Sequence, residues 1–270
     1  MFKTRLLSGI LLVIATVLTL YFGGVVTFAV LAVVSLIGAN ELLRVFDMEK
    51  SAMAVIVYCA TILYYLMLMF NVGSWGFTFL IVVLIFLIGA YVFCYPKYHV
   101  HQLMAAFFSL VYVSIMLAYV YQLRVLENGA EYVVLIFIAA WGTDTFAYCA
   151  GMLLGKHKMT PLLSPKKTVE GAVGGLLGAG ILGAAYGVFV SHMLRLDFDP
   201  VTVFPIVCVV AGAVSMLGDL AASAIKRNFE IKDFGTLIPG HGGILDRFDS
   251  IIIVAPIVYL VVAMLTGTTL

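Results

Sequence analysis

The sequence predicts an all-α polytopic membrane protein of about nine transmembrane helices, with a cytoplasmic N-terminus and its chemistry at the cytoplasmic membrane boundary. Three observations predict it. Of 270 residues, 64% are hydrophobic and 11% charged, against roughly 25% charged in an ordinary soluble domain. Mostly apolar stretches of about 20 residues recur from end to end, each long enough to cross a hydrocarbon core of roughly 30 Å as a helix. The basic residues divide unevenly between the loops when the spans are counted from a cytoplasmic N-terminus.

The spans are expected at roughly 6–22, 25–46, 52–70, 76–95, 103–122, 132–151, 170–192, 202–224 and 250–266. The first, "LLSGILLVIATVLTLYF", follows Lys3 and Arg5 like a signal peptide, but it lacks a clear small-residue cleavage site and a second apolar stretch follows at once, so it is read as a retained span. The "GG" at 23–24 and "NVGSW" at 71–75 are read as tight turns. With the N-terminus inside, Lys3, Arg5, Arg44, Lys50, Lys97, Lys156, Lys158, Lys166, Lys167, Lys226, Arg227, Lys232 and Arg247 all fall on the cytoplasmic side, leaving only Arg124 and Arg195 outside. Two long polar loops, 152–169 and 225–249, land on that same side. The chain reads as one integral membrane domain, 1–270, in which 1–131 is mostly scaffold and 132–270 carries the chemistry. Cys59, Cys94, Cys149 and Cys208 lie in apolar stretches without a C-x-x-C pair and are read as small buried hydrophobes.

Charge inside such a chain is informative. Asp144 lies within span six, roughly 10 Å below its cytoplasmic end at 1.5 Å rise per residue. An ionised carboxylate there is expensive unless paired, hydrated or bound to a cation, which makes it a functional candidate. The following loop gathers Lys156, His157, Lys158, Ser164, Lys166, Lys167 and Thr168, a set suited to an anion with several oxygens, although basic loops also enforce topology. Its start, "GMLLGKH", is not a P-loop: the glycines are one residue too close, and histidine replaces the magnesium-binding hydroxyl residue. Gly178, Gly180 and Gly183 match G-x-G-x-x-G only formally, because no strand precedes them; Gly171 with Gly175, and Gly174 with Gly178, satisfy small-x-x-x-small helix packing instead.

Span eight places Asp219, Ser223, Lys226 and Arg227 at i, i+4, i+7 and i+8, one helix face climbing out of the membrane. A carboxylate at its foot and cations at its top suit a metal-bound polyphosphate. In "PGHGGILDRFDS", residues 239–250, the proline and glycines break helix and can turn backbone N–H groups toward an anion. Asp246 and Asp249, three apart at the start of span nine, suit a hard cation such as magnesium, which takes carboxylates plus substrate phosphates. Topology brings Asp144, Asp219, Asp246 and Asp249 to the cytoplasmic edge, which suggests metal-dependent phosphoryl or nucleotidyl transfer involving a lipid.

On these residues the chain resembles the phosphatidate cytidylyltransferase (CDP-diacylglycerol synthase) family. The family signature has the form S-x-[apolar]-K-R-x4-K-D-x-[small]-x2-[apolar]-[P/G]-x-H-G-G-x2-D-R-x-D, and "SAIKRNFEIKDFGTLIPGHGGILDRFD", Ser223 to Asp249, fills every specified position. "DTFAY" and "SPKKTVEG" also look like family segments. The resemblance implies transfer of a cytidylyl group from CTP to phosphatidic acid, giving CDP-diacylglycerol and pyrophosphate, with Mg2+ as cofactor and the question of a second cation left open. It implies Asp219 and Asp246 as catalytic cation ligands, with Asp249 and Asp144 near or among them, and Lys226 and Arg227 as catalytic cations. Ser223, Lys232, His241, Gly242, Gly243, Arg247, Ser164, Lys166, Lys167, Thr168 and Glu170 would contact substrate. For Arg247, a phosphate contact and an anchor for the aspartates are both open.

The implied partners are CTP, phosphatidic acid and membrane lipid, without nucleic acid, in a homodimer. The expected location is a prokaryotic plasma membrane. A transporter is disfavoured because the charges crowd one membrane face and no repeat symmetry is visible. A CDP-alcohol phosphotransferase would need D-x2-D-G-x2-A-R, which "DRFDS" does not supply.

Overall fold

The computed structural model describes residues 2–72, 75–194, 196 and 198–267, with side chains from Leu6 onward. Arg195, Gly73, Ser74 and the side chains of Lys3 and Arg5 lie outside the described residues. The chain is helical almost throughout: α1 (Phe2–Phe22), α2 (Gly24–Val45), α3 (Ala52–Met69), α4 (Gly76–Phe93), α5 (Val100–Ser109), α6 (Met116–Arg124), α7 (Gly129–Phe137), α8 (Thr143–Leu154), α9 (Val169–Ser191), α10 (Pro200–Asn228) and α11 (Leu245–Thr266). Among the described residues, eight helical runs are long and apolar enough to cross a membrane: α2, α3, α4, Val100–Arg124, Gly129–Leu154, α9, α10 and α11; Leu6–Phe22 is a shorter apolar helix. Helix is the expected solution in hydrocarbon, where every backbone N–H and C=O must be satisfied within the segment. The chain is an all-α polytopic membrane protein.

Three departures from the sequence reading matter for the site. The last helix starts at Leu245, not 250, so Asp246 and Asp249 both lie within it, and α10 runs on to Asn228. Two spans are interrupted by π-helical turns, Leu110–Ile115 between α5 and α6 and Ile138–Gly142 between α7 and α8. The second leads directly into Asp144. Finally, the basic loop folds into an antiparallel hairpin, β1 (Lys158–Thr160) against β2 (Ser164–Thr168).

The chain divides into two compact units, Met1–Gln122 with Asp233–Arg247, and Leu123–Lys232 with Phe248–Leu270. The first is built on buried Leu42, Leu43, Met53, Tyr65, Leu110 and Leu117. Four of its interior hydroxyls form two pairs: Ser35 Oγ with Tyr65 OH at 2.8 Å, and Thr61 Oγ1 with Ser114 Oγ at 2.7 Å. Pairing matters because a buried hydroxyl without a partner costs about 1–3 kcal/mol.

In the second unit α9 lies against α8 and α10 through its glycines. A Cβ at Gly174 would fall on Ala150, one at Gly178 on the Phe146 ring, and one at Gly183 on the Phe204 carbonyl and Cys208. The small-residue stripe therefore sets the helix spacing, as its sequence spacing predicts. The cysteines need a partial correction: all four are free, but only Cys208 is buried, while Cys59 and Cys149 are exposed on outer helix faces. An outer face that meets lipid accepts apolar residues, so an apolar stretch does not by itself imply burial in protein.

Candidate active site

In the second unit, α8, the hairpin, α9 and α10 surround a cavity of about 350 Å³. Its polar lining comprises Asp144 from α8, Lys166, Lys167 and Thr168 from β2, and Asp219 from α10; Ala147, Tyr148, Met152, Met159 and Met216 supply an apolar wall. Lys167 Nζ forms an ion pair with Asp219 Oδ2, with the two side chains 26% and 30% exposed. Asp249, buried in α11, is within electrostatic reach of Asp219, Asp144 and Lys226. Its Oδ1 accepts the Ser250 N–H at 2.8 Å. Three carboxylates and three lysines from separate stretches of sequence thus gather in one region of this unit.

The local structure explains how they are held. Thr168 ends β2 and caps α9: its hydroxyl accepts the Gly171 N–H at 3.1 Å. The cap fixes the point where strand becomes helix, and with it Lys166 and Lys167. Glu170, in the first turn of α9, accepts the N–H groups of Lys156 (3.1 Å) and His157 (3.2 Å) and pairs with the His157 ring. It clamps the hairpin's entrance. Ser164 opens β2, half-buried.

At the far end of α10, the Glu230 N–H bonds the Arg227 carbonyl, the Ile231 N–H bonds the Lys226 carbonyl, and Glu230 takes a left-handed conformation at φ 55°. This closing motif satisfies the last carbonyls and ends the helix at the two cations, whose charge also complements its C-terminal dipole. Ser223 and Lys226 are half-buried, and Arg227 and Lys232 exposed.

The glycine loop belongs to the first unit and is organised around two carboxylates. Gly240 and Gly242 have φ of 78° and 87°, the left-handed region that glycine enters without strain. Asp246 is buried, and its Oδ2 accepts the N–H groups of Phe234 at 2.8 Å and Gly243 at 3.0 Å. Glu41 of α2, also buried, accepts those of Ile244 at 3.0 Å and Leu245 at 2.8 Å. The successive N–H groups that the sequence reading turned toward a substrate anion are, at residues 243–245, bonded to the protein's own carboxylates. His241 is held by α1: its Nδ1 lies 2.7 Å from Ser8 Oγ, which also donates to the Pro239 carbonyl at 3.1 Å. Arg247 is exposed and takes part in no ion pair among the described residues.

Sequence reasoning missed Glu41 and Ser8. A carboxylate in an apolar span was the available signal for Glu41, the same signal that singled out Asp144. Nothing in the sequence marks Ser8. Among the described residues, no group of three or more His, Cys, Asp or Glu side chains is arranged to hold a metal ion; the three carboxylates sense one another without forming a closed ligand set.

A cytidylyltransferase family model matches residues 3–265. Proteins named phosphatidate cytidylyltransferase are 34% identical in Staphylococcus saprophyticus and 33% in Staphylococcus haemolyticus, each over 259 residues, and 35% in Staphylococcus aureus over 260. Each alignment covers 94% of this chain and 96% of the relative.

Proposed function

The chain belongs to the cytidylyltransferase family, and from that premise we propose where and how it carries out its reaction. That reaction is transfer of a cytidylyl group from CTP to phosphatidate, giving CDP-diacylglycerol and pyrophosphate, by a multi-pass protein of a prokaryotic plasma membrane. The site is the cavity of the second unit. One observation carries this reading: a single cavity joins a charged lining of Asp144, Lys166, Lys167 and Asp219 to an apolar wall of Ala147, Tyr148, Met152, Met159 and Met216. A substrate with a phosphate at one end and acyl chains at the other needs both.

The donor set suits magnesium, since that ion is usually held by one or two carboxylates together with substrate phosphates, not by a full protein cage. Asp219 and Asp249 are the ligands we propose, with Asp144 beside them; Asp246 commits one oxygen to the loop, so a cation role for it rests on the other. When bound, the ion would disperse the negative charge that accumulates as pyrophosphate leaves. Lys166, Lys167, Lys226 and Arg227 bind phosphate oxygens and orient CTP. The phosphatidate phosphate is already ionised near neutral pH and attacks the α-phosphorus without a strong general base, so His241 has a binding role. The guanidinium of Arg247, exposed and in no ion pair among the described residues, supports a phosphate contact over an aspartate anchor. A cytoplasmic N-terminus rests on the distribution of lysine and arginine, and a homodimer on the family resemblance.

Purified protein supplied with phosphatidic acid and each of the four nucleoside triphosphates should release pyrophosphate with CTP alone. Asp219→Asn and Asp249→Asn should each lower turnover by roughly 100-fold or more while the helical circular dichroism is kept. Full activity in either variant removes that residue from the site. Undiminished turnover in excess chelator sinks the magnesium assignment.

A further inference from the structure

We propose that Glu41, in the portion of the chain that sequence reasoning treated as scaffold, is a positioning residue for the reaction, acting through the backbone of residues 243–245 and through Asp246. The proposal rests on the reading above that the glycine loop and Asp246 serve the reaction. Glu41 lies four residues before the end of α2 and is 3% exposed. A carboxylate buried in a membrane-spanning helix persists only when well compensated. Here the compensation comes from a segment more than 200 residues away in sequence, through the N–H groups of Ile244 and Leu245.

Those two N–H groups belong to the start of α11, whose first donors have no partner within the helix. Glu41 therefore caps α11 from another helix. Asp246, within electrostatic reach of Glu41, takes the adjacent Gly243 N–H. The two carboxylates divide consecutive N–H groups between them, so displacing one shifts the frame that holds the other. The fit is tight on the opposite side as well: a Cβ at Gly235 or Gly243 would overlap the Glu41 carboxylate. Glycine at 243 is thus required by Glu41, whatever else approaches the loop.

Glu41→Gln keeps the shape and one acceptor oxygen but turns an NH₂ donor toward one of the two N–H donors. Its kcat should fall roughly 10- to 100-fold, the range typical of residues that orient ligands indirectly, with KM for CTP within about threefold. The thermal unfolding midpoint in detergent should drop by only a few degrees for the one stranded N–H, leaving the protein folded at the assay temperature. Amide hydrogen exchange, read by mass spectrometry, should quicken in peptides covering 243–248 and stay unchanged in those from α10. Unaltered kcat, a loss without faster exchange at 243–248, or faster exchange throughout the chain would each overturn the proposal. Asp246→Asn is measured alongside. If it is fully active, the reading of the loop fails; if it is inactive while Glu41→Gln turns over normally, only the role of Glu41 fails.

Discussion

Each of the two polar loops is fastened by a glutamate that accepts two consecutive backbone N–H groups, and the two clamps differ in almost everything else. Glu170 reaches back 13 and 14 residues to His157 and Lys156, at the surface, with an exposed histidine as extra partner. Glu41 reaches across 203 and 204 residues, fully inside its unit, to Ile244 and Leu245. A local clamp at the surface competes with water for its N–H groups, and its net worth is small. In the buried clamp neither the carboxylate nor the N–H groups have water to fall back on, so losing one partner strands the other. The same hydrogen-bond pattern therefore carries different weight in the two loops.

The most damaging test of that difference is Gly243→Ala. The new methyl would lie on both oxygens of Glu41, so either the carboxylate or the loop must move. Overpacking costs about 1–3 kcal/mol, and the displaced hydrogen bonds add to it. We expect a lowered unfolding midpoint in detergent and loss of nearly all turnover. In a Glu41→Ala background the methyl has space, so the added cost of Gly243→Ala should shrink sharply. If the two changes combine additively, the glycine is not answering to Glu41.

The contrast also explains what the sequence could and could not reveal. Local relations were readable: the i, i+4, i+7, i+8 stripe from Asp219 to Arg227 is a real helix face, and the α9 glycines do meet α8 and α10. The apolar stretches fell within a few residues of the helices, except where polar first turns extend them, as at Leu245–Asp249. The hairpin at 158–168 was hidden because its strands are short and basic, with Pro165 inside β2 and Pro161 directly after β1, and proline argues against a strand. The π-helical turn before Asp144 has no residue signature. Glu41 could have been flagged as a carboxylate in an apolar span, but its role could not, because that role is defined by a partner more than 200 residues away, a distance that no pattern of spacing encodes.

A smaller effect is expected at Thr168, where the surface loop joins the membrane helix. Thr168→Ala removes the side-chain acceptor for the Gly171 N–H and should cost about 1 kcal/mol. Because the cap also fixes the strand that carries Lys166 and Lys167, KM for CTP should rise more than kcat falls, and Thr168→Ser should restore both. Steady-state kinetics on the three proteins checks this. Loss of kcat alone would place the importance of Thr168 elsewhere than in phosphate binding.

The mildest change is the most discriminating, because it repeats at the surface the substitution proposed for the interior. Glu170→Gln leaves one acceptor for the Lys156 and His157 N–H groups and abolishes the ion pair with the His157 ring. Since water can replace whatever is lost at an exposed clamp, turnover should stay within about threefold of the original protein. The residual difference should fade as salt is raised, because exposed pairs are screened. A loss as deep as that expected for Glu41→Gln would mean that Glu170 touches substrate, the role its sequence motif implies, and burial would no longer account for the difference between the two loops. Measuring both variants at low and high salt separates these outcomes: a screened, shallow loss identifies a clamp, and a deep, salt-independent one a binding residue.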